Sequence, residues 1–303
     1  MISFQYDEIH EQVRDYIRKF VQEEIAPSVI ERDIRGEFPR EIIKKLGELG
    51  YLGMMVSPNW GGQGLDTISY VIALEEISKV DASVGVIFSV HNSLVNWIFE
   101  KYGSEYLKEK YLRKLVTGEM IGAYCLSEPE AGSDATQIKT SARKVGDRWI
   151  LNGSKNWITT GQNADLYVVF ANTNFDLGYK GITCFAIEKG TPGFEPGKKE
   201  DKMGLRSSDT TSIGITNVEV PDENVIGNVG EGFYIAMRGL NGGRIGIAAQ
   251  ALGIAQGAFE ASVRYAKERK AFGKPIIEHQ LIQAKLAQMS MKINAARMLI
   301  YKA

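Results

Sequence analysis

The chain has 303 residues, 44% of them hydrophobic, and 36 Lys+Arg against 37 Asp+Glu leave a formal charge of −1. That apolar content can bury more than one ordinary core, so two or three packed units are expected. A near-neutral balance excludes a global field for nucleic acid or an anionic membrane, so any anionic ligand must be held by local groups.

The two cysteines, Cys125 and Cys184, are too few and too far apart for a disulfide framework or a zinc site, and they suit a reducing cytoplasm. His10, His91 and His279 are scattered without ligand spacing, so no metal centre is expected. Asp7, Glu8 and Glu11 stand where a signal peptide is basic and then apolar. No uninterrupted apolar run approaches the roughly 20 residues of a membrane helix.

From Phe4 to about Gly118 the period is helical: Ile9, Val13, Ile17, Phe20 and Val21 share a face, and the run stops before Pro27. Pro39 suits the first turn of a second helix with a stripe of Ile42, Ile43, Leu46 and Leu49, and Gly50 suits its C′ position. Gly61-Gly62-Gln63-Gly64 superficially matches a dinucleotide loop, but no βαβ unit surrounds it and a turn is expected. Between Asp81 and Tyr102 the segment is apolar nearly all round, so it reads as a central buried helix, with His91 a hydrogen-bonded core residue rather than a catalyst. Ser104 then caps another helix.

After Thr117 the period changes. Thr140–Leu151 reads as a β-hairpin around Gly146-Asp147, and Leu166–Ala171, Thr183–Ile187 and Thr211–Val218 are further β-rich runs. Gly227–Gly232 is expected to be a loop entering a helix. Helix returns near Gly232, with Ile245–Tyr265 rich in Ala and Gly, then breaks at Gly273-Lys274-Pro275 before a last helix from Glu278. The last helix runs ungapped to Ala303 with no stop signal. The fold class is therefore α+β multidomain: an N-terminal α-helical domain (1–118), a middle β-barrel or sandwich domain (119–228) and an incomplete C-terminal helical bundle (229–303).

Two segments carry the chemistry. Tyr124-Cys125-Leu126-Ser127-Glu128-Pro129-Glu130-Ala131-Gly132-Ser133-Asp134 and Gly153-Ser154-Lys155-Asn156-Trp157-Ile158-Thr159-Thr160-Gly161 each join a strand to a loop. They offer hydroxyls, backbone N–H groups, a small-residue turn and one large aromatic, which is the equipment for a flat cofactor with polar edges. Cys125, without an obvious base nearby, reads as a small packed residue.

This α–β–α order, with these motifs and with Pro58-Asn59-Trp60-Gly61-Gly62-Gln63-Gly64-Leu65-Asp66 and Glu268-Arg269-Lys270-Ala271-Phe272-Gly273, resembles the acyl-CoA dehydrogenases, in tone the bacterial short-chain, butyryl-CoA type. The resemblance implies FAD as cofactor, bound by Tyr124, Cys125, Leu126, Ser127, Gly132, Ser133, Trp157, Ile158 and Thr159, and by Arg269, Phe272 and Gln280 toward a neighbouring subunit. It places Ser133, Asn241, Gly242, Gly243 and Arg244 on the substrate side, although the family often has Asp where Asn241 stands. The implied reaction is dehydrogenation of a short-chain acyl-CoA to trans-2-enoyl-CoA in fatty acid β-oxidation. Electrons would go to an electron-transfer flavoprotein, and the enzyme would be a cytoplasmic homotetramer with no nucleic-acid, membrane or metal partner.

A carboxylate must take the α-proton in that reaction, in a dry site that keeps it basic. The family places it either in a loop beyond position 303 or immediately before the Arg of the substrate-side segment, which here is Gly243. No catalytic base is therefore expected within the 303 residues, and the chain reads as one whose last helices are absent. Glu231 and Glu260 read as capping or surface acids. Two other readings stand beside this one: an acyl-CoA oxidase or flavin monooxygenase relative on the same fold, and a non-catalytic assembly protein that binds FAD or acyl-CoA.

Overall fold

The computed structural model describes residues 7–303; Phe4, where the helical pattern begins, lies outside the described residues. The chain forms two compact units, one of residues up to 29, 67–86 and 244–303, the other of 30–66 and 87–243.

The first unit is helical. Glu8–Phe20 buries Val13, Ile17 and Phe20 at helical spacing and packs on Thr67–Ser78. The second half of the long helix Gly232–Glu268 approaches closely: a Cβ at Gly253 would lie 2.4 Å from the Glu75 carbonyl oxygen, and one at Gly257 would lie 2.2 Å from that of Lys79. Glycine at these turns is what lets the helices touch backbone to backbone. Half-buried ion pairs span the same contact, Arg297–Glu75 at 2.6 Å, Arg18–Glu76 at 2.8 Å and Lys79–Glu260 at 3.2 Å. Glu260 is thus part of a structural ion pair. A short hairpin of Lys270–Ala271 and Lys274–Pro275 precedes the last helix, Gln280–Lys302, in which Ile293 is the buried position.

The second unit carries the strands β1 (Gly122–Cys125), β2 (Ser141–Val145), β3 (Arg148–Thr159), β4 (Leu166–Asn172), β5 (Ile182–Glu188), β6 (Phe194–Lys199), β7 (Thr210–Pro221) and β8 (Val225–Ile226). They form one eight-stranded mixed sheet in the order β6-β7-β3-β2-β4-β5-β8, with β1 parallel to β4. The barrel-or-sandwich expectation thus resolves into a single hydrogen-bonded sheet with apolar clusters on its two faces. One cluster joins alternate residues of β4 and β5, such as Val168, Phe170 and Cys184, to helical residues including Ile98, Phe99 and Leu115. The other takes the opposite alternation, Tyr167, Val169 and Phe185, with Leu151 and Ile213. Strands β6 and β8 had no counterpart among the β-rich runs, because Pro196 and Gly197 interrupt the first and the second has only two residues.

Several local expectations shift. Ile42, Ile43 and Leu46 are buried, but Leu49 is exposed because it follows the end of Arg40–Glu48, where Gly50 turns the chain at φ +79°. Ser104 does cap the next turn, accepting from the Leu107 N–H at 3.2 Å. Residues Ala82–Tyr102 form a helix of 21 residues that is, by length and composition, apolar enough to cross a membrane, with mean hydropathy 1.3. Polar residues interrupt the apolar run, and 78% of that window is buried in the protein.

His91 sits in that helix with both ring nitrogens bonded: Nε2 lies 2.8 Å from the Leu115 carbonyl oxygen, and Nδ1 accepts the Gly122 N–H at 3.3 Å. These partners suit the neutral Nε2–H tautomer, and burial lowers the imidazole pKa from 6.5 to about 4. Between those values the unfolded chain takes up a proton that the folded chain refuses. Stability should therefore fall as pH drops from about 6.5 to 4, by a limit of about 3 kcal/mol from this group at 1.36 kcal/mol per unit. In urea titrations across that window, His91→Gln should show a shallower loss than the parent; equal slopes would remove His91 as the cause.

Candidate functional site

The first motif leaves β1 at Cys125 and turns through residues 126–134, while the second occupies the end of β3. Nothing in local sequence brings the two together, and the link is made by a buried ion pair. Lys155, which has no solvent exposure, donates from Nζ to Glu128 Oε1 at 2.7 Å and to the Leu126 carbonyl at 3.2 Å. Glu128 also accepts the backbone N–H groups of Lys139 at 2.5 Å and Thr140 at 3.1 Å. Alongside, the Asn156 N–H donates to the Ser127 carbonyl at 2.9 Å, and Glu128 and Ala131 exchange two backbone bonds across the turn.

Burial alone would raise the Glu128 carboxyl, but Lys155 and the N–H donors outweigh it and hold its pKa below the usual carboxylate value. The Lys155 ammonium is lowered, first by desolvation, with Glu128 opposing the shift. Both motifs therefore hang on one charged contact that water does not reach. Neither Glu128 nor Lys155 has an expected role from local sequence, because the strand slips register on both sides of Lys155 and its neighbours are Ser154 and Asn156.

The end of β3 is irregular. Its pairing with β7 slips between Lys155 and Ile158, and at the slip Trp157 adopts φ +60° with 65% of its surface exposed. Thr160 follows at φ +64°. Such left-handed backbone at non-glycine residues costs of order 1–3 kcal/mol and persists where its surroundings enforce it. The bulge turns the indole outward while Ile158 stays buried. Among the described residues, the hydroxyls of Ser127, Ser133 and Thr159 have no protein hydrogen-bond partner. Thr160 Oγ1 is buried and equally unpartnered.

The other expected site residues divide by environment. Tyr124 packs edge-on to Phe170 at 5.2 Å and its hydroxyl lies 3.4 Å from the Ala236 carbonyl, so its side chain belongs to the core. Cys125 is fully buried, burial raises its thiol pKa, and it is not poised as a nucleophile. These two positions can reach a cofactor through backbone groups. Gly132 is exposed, with open space where a side chain would be. Asn241, Gly242 and Gly243 lie on the helix Gly232–Glu268, where a Cβ at Gly243 would stand 3.1 Å from Leu94 Cδ2.

Arg244, Arg269, Phe272 and Gln280 belong to the helical unit. There the hairpin holds Phe272 at φ +53° and 97% exposed, with His279 at 6.0 Å between ring centroids, and Arg269 and Gln280 are exposed beside it. Glu231 accepts the Asn228 N–H at 3.0 Å and so closes the loop before the long helix. Among the described residues no cluster of three His, Cys, Asp or Glu is placed to hold a metal.

An exposed aromatic on a rigid bulge, free hydroxyls on two adjacent segments and a small-residue turn suit a planar ring with hydrogen-bonding edges. The fold places helical, sheet and helical regions in this order along the chain. The chain matches the descriptions "Acyl-CoA dehydrogenase, N-terminal domain" over residues 7–119, "Acyl-CoA dehydrogenase, middle domain" over 123–218 and "Acyl-CoA dehydrogenase, C-terminal domain" over 230–303. It is 47% identical over 302 residues to the short-chain specific acyl-CoA dehydrogenase of Clostridium acetobutylicum, covering 100% of this chain and 80% of that protein. Among solved structures it is similar to butyryl-CoA dehydrogenase from Megasphaera elsdenii, with TM-score 0.97 and 46% identity over 99% of this chain and 80% of that one. It is also similar to a chain in a structure described as an electron transferring flavoprotein of Acidaminococcus fermentans, with TM-score 0.98 and 46% identity over 99% of this chain and 79% of that one. The chain belongs to the acyl-CoA dehydrogenase family, which is a family of flavoprotein oxidoreductases of fatty acid metabolism.

Removing one member of a buried pair leaves the other charge uncompensated and costs about 3–5 kcal/mol, whereas an apolar replacement of both is often tolerated. Lys155→Met and Glu128→Gln should each lower the unfolding free energy from urea titrations by an amount of that order. The double variant Lys155→Met/Glu128→Leu should be less destabilised than the sum of the corresponding single changes; strict additivity would show that the two side chains are not coupled.

Proposed function

We propose that the protein oxidises a short-chain acyl-CoA across Cα–Cβ to the trans-2-enoyl-CoA, with FAD as cofactor and an electron-transfer flavoprotein as acceptor. The observation that carries this reading is the joining of the Ser127 loop to the Trp157–Thr159 bulge by the Lys155–Glu128 pair and the Asn156–Ser127 bond. Bound FAD would supply the hydride acceptor and the electron carrier. The backbone groups of Leu126 and Ser127 would hold the ring's pyrimidine edge, and the Thr159 hydroxyl would donate toward N5. Trp157 covers a ring face and excludes water, with Ile158 packed beneath the bulge. Gly132 admits close approach of the backbone, and Ser133 faces the coenzyme A part of the substrate.

Asn241, Gly242, Gly243 and Arg244 serve the substrate side. Arg269 offers a planar, permanently charged fork to phosphate oxygens. Its exposure, with that of Phe272 and Gln280, suits contact with the cofactor of a neighbouring subunit in a homotetramer. The same reading keeps the division into domains at 1–118, 119–228 and 229–303, and a cytoplasmic setting.

No carboxylate within the 303 residues is assigned to the α-proton, and Gly243 has no side chain to supply it. General-base assistance is worth about 10²–10⁴-fold. The purified chain should therefore take up FAD and respond spectrally to butyryl-CoA, yet reduce the flavin at least about a hundredfold more slowly than a relative that has its base. Gly243→Glu, if Leu94 yields to the new Cβ, should recover at least a tenth of that loss in anaerobic bleaching. Failure of the parent chain to bind FAD would sink the reading, and rapid flavin reduction by the parent would show that a base is present after all.

A further inference from the structure

We propose that Asp209 is a positioning residue that clamps the hydride-accepting end of β3, an assignment that rests on the flavin reading above. Asp209 is 1% exposed and bonds in three directions to the turn that follows Thr159. Its carboxylate accepts the Gln162 N–H at 2.7 Å and the Asn163 Nδ2–H at 3.1 Å, and its carbonyl accepts the Thr160 N–H at 2.9 Å. The next residue, Thr210, is the register partner of Thr159, and Thr211 is that of Ile158. Asp209 therefore holds the far side of a tripeptide, Trp157–Thr159, whose near side is held by Lys155 and Asn156.

That tripeptide needs two anchors. It opens on one left-handed non-glycine residue, Trp157, and is followed at once by another, Thr160, and either would relax toward ordinary extended backbone if one end were released. The segment that carries Asp209 into β7 is itself braced. Lys202 Nζ donates to the Ser208 carbonyl at 2.7 Å and to Thr210 Oγ1 at 3.0 Å, and the Arg206 N–H donates to Asp33 Oδ1 at 3.1 Å. Around the clamp, the hydroxyls of Thr160, Ser207 and Ser208 are buried without a protein partner. The turn's other side-chain holds act on different atoms: the Tyr167 hydroxyl donates to the Gly161 and Ala164 carbonyls, and Gln162 Nε2 donates to the Gly197 carbonyl, so the Gln162 N–H and Asn163 Nδ2–H rest on the Asp209 carboxylate. An Asn at 209 keeps the shape but replaces one acceptor oxygen with a donor. With Oδ1 kept on the Gln162 N–H, its new amide donor faces the Asn163 Nδ2–H, and that contact is lost unless the Asn163 amide reverses.

A matched control lies just beyond the opposite end of β7. Asp222 accepts the Trp149 indole N–H at 2.7 Å and Lys144 at 2.8 Å, and so fastens β3 away from the bulge. The test compares Asp209→Asn and Asp222→Asn with the parent in two measurements. Amide hydrogen exchange without added flavin should accelerate at least tenfold at residues 157–163 in Asp209→Asn, and not there in Asp222→Asn. Titration with FAD should show at least tenfold weaker binding and an altered visible band for Asp209→Asn, against a parent-like spectrum for Asp222→Asn even where that variant has the lower unfolding midpoint. Unchanged exchange at 157–163, or acceleration that is uniform across the sheet, would overturn the clamp. Absence of FAD uptake by the parent would instead overturn the flavin reading, with the exchange measurement still deciding the role of Asp209.

Discussion

The interaction on which the candidate site depends is the contact of Lys155 with Glu128 inside the sheet domain. Two ions out of water are a poor source of net stability, because desolvation offsets most of their attraction. What the pair supplies is position. Glu128 gathers an ammonium and two backbone N–H groups, so the loop after β1 and the start of β2 are tied to the middle of β3 through one carboxylate. Any displacement of the loop would strand a charge in a dry interior, and this makes the arrangement all-or-none rather than adjustable.

Rigidity of that kind lets the neighbouring segment remain strained. The bulge that throws the Trp157 indole outward needs backbone conformations that an unconstrained chain would leave at once. Held between Lys155 on one side and Asp209 on the other, the segment presents Trp157 and Thr159 without spending its own flexibility. The exposed aromatic and the unpartnered hydroxyls would be liabilities in a purely structural strand. Under the proposed flavin reading they would form a preorganised cofactor wall.

The helical unit uses the same physics to a different end. Glycines at 253 and 257 remove side-chain bulk where backbone meets backbone, and the carboxylates of Glu75 and Glu76 are answered by Arg297 and Arg18 at the edges of that contact. These charges are paired across helices, so their work is to fix which faces meet. None of them is arranged as a catalytic acid or base.

Much of the architecture was legible in the order of residues, because amphipathic period, capping and turn chemistry act within a few positions of themselves. The switch from helical to β period after Thr117, the burial of His91 and the strand-to-loop placement of the two motif segments could be read from local pattern. Strand β6 escaped because proline and glycine hide its period, and only its pairing with β7 makes it a strand. The pairing of Glu128 with Lys155 and the hold of Asp209 on residues 160–163 could not be read at all, since their partners stand 27 and about 50 positions away along the chain. The sequence by itself determined the kind of elements, the two segments proposed to bind the cofactor and the family resemblance. Tertiary structure alone decided which charges lost their water and which backbone was forced left-handed, because burial and strain exist only once distant segments are packed together.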